Sequence, residues 1–175
     1  MCRDFVEYPL AVFMRCCMSF QARQPTTYTS TLENDGFFPD LELAYWQKTF
    51  RIDDRLPEET LLDLLLQACL SVNTDLQTWQ CRQVNQGYLS LEAVPSNQIG
   101  GKSHLVTWYQ SAVYNRATAD YLVQFADYAT TEVKETGKAE NRVEAKQQHA
   151  TTHYRNAIAA IERIKGRSDT YVRLV

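Results

Sequence analysis

Pro57-Glu58-Glu59-Thr60-Leu61-Leu62-Asp63-Leu64-Leu65-Leu66-Gln67-Ala68-Cys69-Leu70-Ser71-Val72-Asn73-Thr74-Asp75-Leu76-Gln77-Thr78-Trp79 is the stretch whose reading decides the fold. Leu62, Leu65, Leu66, Cys69, Val72, Leu76 and Trp79 recur at steps of three and four, the spacing that puts side chains on one face of a continuous helix. Leu61, Leu64 and Ala68 widen this stripe over the first half, so the helix is expected to touch two neighbours and to serve as the core helix. Pro57 has the fixed φ of a first helical position, and Glu58 and Glu59 place negative charge where the macrodipole favours it. Gly87 stops the helix, since it accepts a left-handed cap without a Cβ clash.

Upstream, Phe37-Phe38-Pro39-Asp40 leads into a short helix over Leu41–Phe50, with Asp40 as its cap and Leu43, Trp46 and Phe50 on one face. Downstream lies an ordered connector, Gly87-Tyr-Leu-Ser-Leu-Glu-Ala-Val-Pro-Ser-Asn-Gln-Ile-Gly-Gly-Lys-Ser103. It contains a turn of helix from Leu89 to Ala93 stopped by Pro95, then a break at Gly100-Gly101. Ser103 is positioned to cap a third helix with the stripe Leu105, Tyr109, Ala112, Arg116, Ala119, Val123 and Ala126. Ala112, Ala117, Ala119 and Ala126 let another helix approach closely. The mixed charges from Glu132 to Glu144 read as a solvated loop and helix face. After Gly137 a fourth helix carries Val143, Gln147, Ala150, Tyr154, Ala157, Ile161 and Ile164, nearly a seven-residue repeat, and ends at Gly166. The fold class expected is all-α, a bundle of one short and three long helices over residues 37–166.

Residues 1–36 read as a flexible, disordered N-terminal arm, because Gln24-Pro-Thr-Thr-Tyr-Thr-Ser-Thr31 is polar and lacks helical period. Within it, residues 1–17 are expected to be an upstream extension, with Met18 as the natural start. The short apolar run Tyr8–Met14 lacks the basic flank and small-residue cleavage site of an export signal. Residues 167–175 lose helical period and are rich in strand-forming side chains, so an extended tail is expected. An extended end has backbone groups that must find a partner.

The chain has 175 residues, enough for one domain with tails, and 18 basic side chains against 21 acidic ones leave a net charge of −3. No overall positive field would hold it on nucleic acid or on an anionic membrane. No apolar run reaches the ~20 residues of a membrane span. Its five cysteines are odd in number and set up no CxxC spacing, which suits a reducing, cytoplasmic setting.

The chemistry on offer is sparse. His149 and His153 lie four apart and could share a zinc ion, but Ala150-Thr151-Thr152 between them holds no Glu to act as base, so they read as two exposed helical histidines. Gly100-Gly101-Lys102-Ser103 looks like the end of a phosphate-binding loop, yet Ser96 stands where the earlier glycine belongs. Arg163, Lys165, Arg167 and Arg173 complement the dipole at a helix C-terminus. Arg116 and Asp120 stand at a pairing distance on one helix. No catalytic residue, cofactor site or metal site is expected, and the chain is read as a non-enzyme. A DNA-binding helical regulator or packaging subunit is the alternative, though the helices are long for a helix-turn-helix and the charge is balanced.

Phe37-Phe38-Pro39-Asp40-Leu41, Val72-Asn73-x-x-Leu76, Gly87-Tyr88 with Leu91 and Val94-Pro95, and Ile99-Gly-Gly-Lys-Ser103 occur here in a characteristic order. They are followed by Tyr109, Ala112-Val113, Ala117, Ala119, Leu122, Asp127, Gly137 and Arg155-x-Ala157-Ile158-x-x-Ile161. In that order and spacing, from Phe37 to Val175, the chain resembles the head completion (gpL-type) family of temperate contractile-tailed bacteriophages. The resemblance implies a head-tail connector adaptor, made in the host cytoplasm and carried in the neck of the virion. Its implied partners are the portal protein of DNA-filled capsids, further copies of itself in a ring following the portal's symmetry, and a tail-side connector or tail completion protein. Packaged DNA would lie nearby without sequence-specific binding, and no membrane is involved. On this view Tyr171, Val172, Arg173, Leu174 and Val175 of the tail bind the portal by adding to a sheet edge.

Overall fold

The computed structural model describes residues 28–125 and 138–166, the side chains of residues 138–145 excepted. In chain order the elements are β1 (Thr31–Leu32), β2 (Leu41–Glu42), α1 (Leu43–Phe50), α2 (Glu58–Asn85), β3 (Gln98–Ile99), β4 (Lys102–Ser103), α3 (His104–Gln124) and α4 (Lys138–Ile164). The molecule is all-α in class: one short and three long helices among the described residues, with two antiparallel ribbons of two residues per strand. Neither ribbon was expected. One belongs to the segment read as an arm, the other to the segment read as a connector.

The α2 helix forms as its periodicity demands, with Leu61, Leu64, Leu65, Ala68, Cys69, Val72, Leu76 and Trp79 buried. Leu66, expected in that stripe, instead faces solvent, and Leu62 is only half-buried. The buried arc is centred on the Leu61/Leu65/Val72 side, so counting leucines alone placed its edge one residue position too far around the helix.

The central element is α3 rather than α2. Leu105, Val106, Tyr109, Ala112, Val113, Tyr114, Asn115, Ala117, Thr118 and Ala119 are buried on it, covering nearly its whole circumference. A helix with neighbours on all sides loses the single stripe by which a surface helix is read. Val123, assigned to that stripe, is exposed, and Arg116 is half-buried. The expected alanines are buried, Ala112, Ala117 and Ala119 on α3 and Ala150, Ala157 and Ala160 on α4; Ala112 and Ala119 share the side of α3 that carries Asn115 and Arg116 toward α4. Ile161 and Ile164 close the C-terminal end of α4 against the core. Gln147, assigned to the α4 repeat, is exposed. Ala126 and Val143 lie outside the residues or side chains described.

The start of α1 departs from expectation. Leu41 and Glu42 form β2, the helix begins at Leu43, and no side chain caps it. The Asp40 carboxylate accepts the Asn34 amide at 2.9 Å instead, closing a turn between the two ribbon strands. Trp46 is fully buried, and its indole N–H donates to Thr118 Oγ1 at 2.9 Å. Tyr114 reaches from α3 to the ribbon, its hydroxyl accepting from the Glu42 amide and donating to the Glu42 carbonyl. Burial raises this phenol above its ordinary value, so it remains a neutral donor.

Packing begins well before Phe37. Residues 28–36 form a strap that runs along α2, from Glu58 in its first turn past Asn73 to Gln80. Tyr28 is buried, and its hydroxyl donates to the carbonyl of Leu56 at 2.5 Å and lies 3.1 Å from that of Asp54. Ser30 Oγ donates to Glu58 Oε1 and the Ser30 carbonyl accepts the Leu43 amide. The strap pairs Thr31 with Glu42 and Leu32 with Leu41. A segment of polar residues is thus ordered by its backbone bonds and by one aromatic anchor, features that carry no hydrophobic period. Residues 1–27, the remainder of the expected arm, lie outside the described residues, as does the tail 167–175.

Candidate functional site

Three places gather polar or exposed groups: the hub where the strap meets α2 and α3, the connector between α2 and α3, and the seam between α3 and α4.

At the hub, Tyr109 OH accepts from Asn34 Nδ2 at 2.7 Å and donates to Asn73 Oδ1 at 2.7 Å. Asn73 Nδ2 donates to Asn34 Oδ1 at 2.9 Å, which closes a three-membered ring of hydrogen bonds between strap, α2 and α3. The Cys69 thiol lies 3.5 Å from the same hydroxyl. Phe38 stacks on the Tyr109 ring at 4.5 Å between centroids and 6° between planes. Burial raises both Tyr109 and Cys69 above their ordinary values, so neither supplies a nucleophilic anion. The hub is a structural lock. Asn73 and Tyr109, both in the motifs quoted above, are two of the three members of its hydrogen-bonded ring.

The connector rests on Phe37, just past the strap. Gly87 takes a φ of 94° to leave α2, and the Leu91 amide donates to the Phe37 carbonyl at 2.8 Å. Leu91 and Val94 are buried, while the Ser90 hydroxyl accepts from the Ala93 amide to cap a single 3-10 turn over Leu91–Ala93. Pairing of Gln98 with Ser103 and of Ile99 with Lys102 then makes a hairpin. Its two turn residues, Gly100 and Gly101, have φ values of 61° and 76°, the double positive φ of a type I′ turn. The Gly-Lys-Ser run is therefore spent in a turn and a strand, so its amides do not form a phosphate cradle ahead of α3. Ser103 occupies the N-cap position but makes no side-chain cap bond; its hydroxyl pairs with that of Ser96 at 2.7 Å. Leu89 and Ile99 are 83% and 73% exposed, so the connector presents two large apolar side chains to solvent.

Along the seam, His153 Nδ1 lies 2.8 Å from Asn115 Oδ1, which fixes the ring as the Nδ1–H donor. Tyr154 OH donates to Asp120 Oδ1, and Arg116 stands 3.8 Å from Asp120 Oδ2 with its guanidinium 5.1 Å over the Tyr154 ring. The expected Arg116–Asp120 pair is thus half-buried and shared with α4. His149 is exposed, whereas His153 is half-buried and bonded across the seam. Among the described residues no three His, Cys, Asp or Glu side chains are grouped to hold a metal ion.

Burial in the seam, with His149 adding, lowers the His153 imidazole below its ordinary value of 6.5. The unfolded chain then takes up this proton at a higher pH than the folded one does. Stability from this group is complete above about pH 6.5 and is lost as pH falls through the lower folded value. The thermal midpoint should therefore fall between about pH 7 and pH 5, and His153→Gln should flatten that slope in melts followed by circular dichroism. An unchanged slope in the variant would assign the acid sensitivity elsewhere.

Beyond the seam, α4 ends where Gly166 takes a φ of 72° and its amide donates to the Arg163 carbonyl. Lys165 Nζ bonds Glu162 Oε1 at 3.2 Å, and with Arg163 it places positive charge at the helix C-terminus. The five residues assigned to portal binding, Tyr171, Val172, Arg173, Leu174 and Val175, follow this exit and lie outside the described residues.

Comparison with known proteins bears on what such a scaffold is for. A model of the phage head completion protein (GPL) family matches residues 32–175, which takes in every element from the second residue of β1 onward. The chain belongs to the phage head completion protein family. The family match begins inside the strap, five residues before the point where the motif resemblance starts, in keeping with the packing of that segment. A head completion/stabilization protein of Escherichia phage P2 is 22% identical over 144 residues, 82% of each chain. No solved structure matches. The head completion role places the protein with the phage capsid, and among the described residues no helix is long and apolar enough to cross a membrane.

Proposed function

We propose that the protein is a head-tail connector adaptor: it binds the portal vertex of a DNA-filled capsid, stabilises the packaged head and prepares it for tail attachment. Family membership across residues 32–175 is the observation that carries this reading. Subunits assemble in the host cytoplasm on filled heads, stand side by side in a ring that follows the portal, and remain in the neck of the virion. The tail-side face receives a connector or tail completion protein. An adaptor of this kind works through surfaces, and no step calls for a nucleophile, cofactor or metal.

In this reading the tail does the gripping. It leaves α4 just after Gly166, and Tyr171–Val175 add as a strand to a sheet edge on the portal, backbone bonds supplying affinity and alternate side chains specificity. Many copies on one vertex convert a weak single contact into a durable one. Deleting residues 168–175 should leave the thermal midpoint of the free protein unchanged and abolish its co-sedimentation with DNA-filled heads. Full loading by the truncated chain would overturn the assignment.

A further inference from the structure

The outer face of α2 carries an apolar stripe left exposed among the described residues. Leu66 and Leu70 are 39% and 53% exposed, and Val84 lies on the same side of the helix. Single exposed leucines are ordinary, but two at a four-residue spacing make a continuous patch. The patch is acidic at its edge. Glu59 and Asp63 are exposed seven and three residues before Leu66, on the same face. Across its full length α2 holds four acidic residues, Glu58, Glu59, Asp63 and Asp75, and one basic, Arg82.

The outer face of α4 is its complement. Ile158 is 56% exposed, and Arg155 is exposed three residues before it, the same offset that separates Asp63 from Leu66. Across its full length α4 holds five basic residues, Lys138, Arg142, Lys146, Arg155 and Arg163, and three acidic, Glu140, Glu144 and Glu162. Both helices pack on α3, and Leu66, Leu70 and Ile158 all remain exposed, so neither face is covered by the other within one molecule.

We infer that these two faces are the two halves of a lateral contact between copies of this chain, with Leu66 and Leu70 of one copy meeting Ile158 of the next and Asp63 opposite Arg155. Charge decides between the possible pairings. A parallel two-fold contact of α2 with itself would set Glu59 and Asp63 against their own duplicates, and an antiparallel one centred on Leu66 and Leu70 would set them against Gln77 and Asn73 with no basic partner, whereas α2 against α4 sets acid against base. A contact between unlike faces leaves each copy with one free half of each kind, so it propagates until rotation closes a ring. The inference rests on the proposed ring for its biological setting, and its residues are new to that reading.

Sedimentation velocity of the full chain, without heads, tests it. The wild-type protein should show a mean mass that rises with concentration up to about 1 mM. Leu70→Glu and, from the other face, Ile158→Glu should each weaken association about tenfold, with melting curves matching wild type because both positions face solvent. Asp63→Arg alone and Arg155→Asp alone should weaken it about fivefold, and the double reversal should restore it. A chain that stays monomeric throughout this range, or an association indifferent to these changes, overturns the inference. Loading onto filled heads is scored separately, so a monomer that still loads removes this contact and leaves the adaptor reading standing.

Discussion

Trp46→Ala should lower the thermal midpoint by roughly 6–20 °C in calorimetry, the largest effect expected of any single substitution in the core. Trp46 is fully buried between α1 and α3, with Tyr121 edge-on to its ring. Removing a buried indole forfeits its transfer energy and leaves a cavity, together about 3–5 kcal/mol. The hydrogen bond to Thr118 adds little to that figure. Thr118 Oγ1 also donates to the Tyr114 carbonyl, so it keeps a partner when the indole goes. Trp46→Phe separates the two contributions: it retains most of the apolar volume and should cost about 1–2 kcal/mol. Equal losses for the two variants would mean that the hydrogen bond, and not the packing, fixes α1 on the bundle.

Tyr109→Ala should come close behind, at about 3–5 kcal/mol, because the ring lies at the meeting point of strap, α2 and α3. Tyr109→Phe is the sharper instrument. It keeps the stack on Phe38 and removes only the hydroxyl that closes the ring with Asn34 and Asn73. Asn34 Nδ2 retains the Pro39 carbonyl, but Asn73 Oδ1 loses its donor, a loss of about 1–3 kcal/mol. The location of the effect matters as much as its size. Hydrogen exchange should quicken in residues 30–42 more than along α3 and α4, since the strap opens first when its lock is removed. Uniform acceleration would show that the hub supports the whole bundle and not the strap in particular.

Much of this architecture was legible because helices announce themselves by period. The Leu61–Trp79 pattern, the Gly87 stop and the alanines at 112, 117 and 119 all correspond to structure for the physical reasons that made them readable. What escaped was whatever lacks a period. The strap is held by Tyr28, Ser30 and Asn34 through bonds to partners 5 to 75 residues away, and no local pattern encodes such a pairing. The central position of α3 was hidden for the opposite reason, since apolar and small residues around its whole circumference leave no stripe to see. The connector hairpin had a usable signal. Gly-Gly between Gln98-Ile99 and Lys102-Ser103 is a two-residue turn of the kind that closes hairpins, and so more than a break between helices. For the site, Asp63 and Arg155 carry no mark in sequence that distinguishes them from other surface charges. Their significance depends on which leucines and isoleucines stay uncovered once the helices pack.

The alanines between α3 and α4 carry one more implication. A seam of methyl groups is smooth: it brings two backbones near each other but offers few protrusions to resist translation along the axis. Among the described residues its upper half is instead indexed by His153 on Asn115 and Tyr154 on Asp120, pegs set one residue apart on α4 and five apart on α3. With both pegs cut, a shift of one turn, about 5.4 Å, would meet little steric objection until Ile161 and Ile164 at the far end took the strain. The axial register of α4, and with it the place from which the tail departs, is therefore set by two polar contacts at one end and by Ile161 and Ile164 at the other.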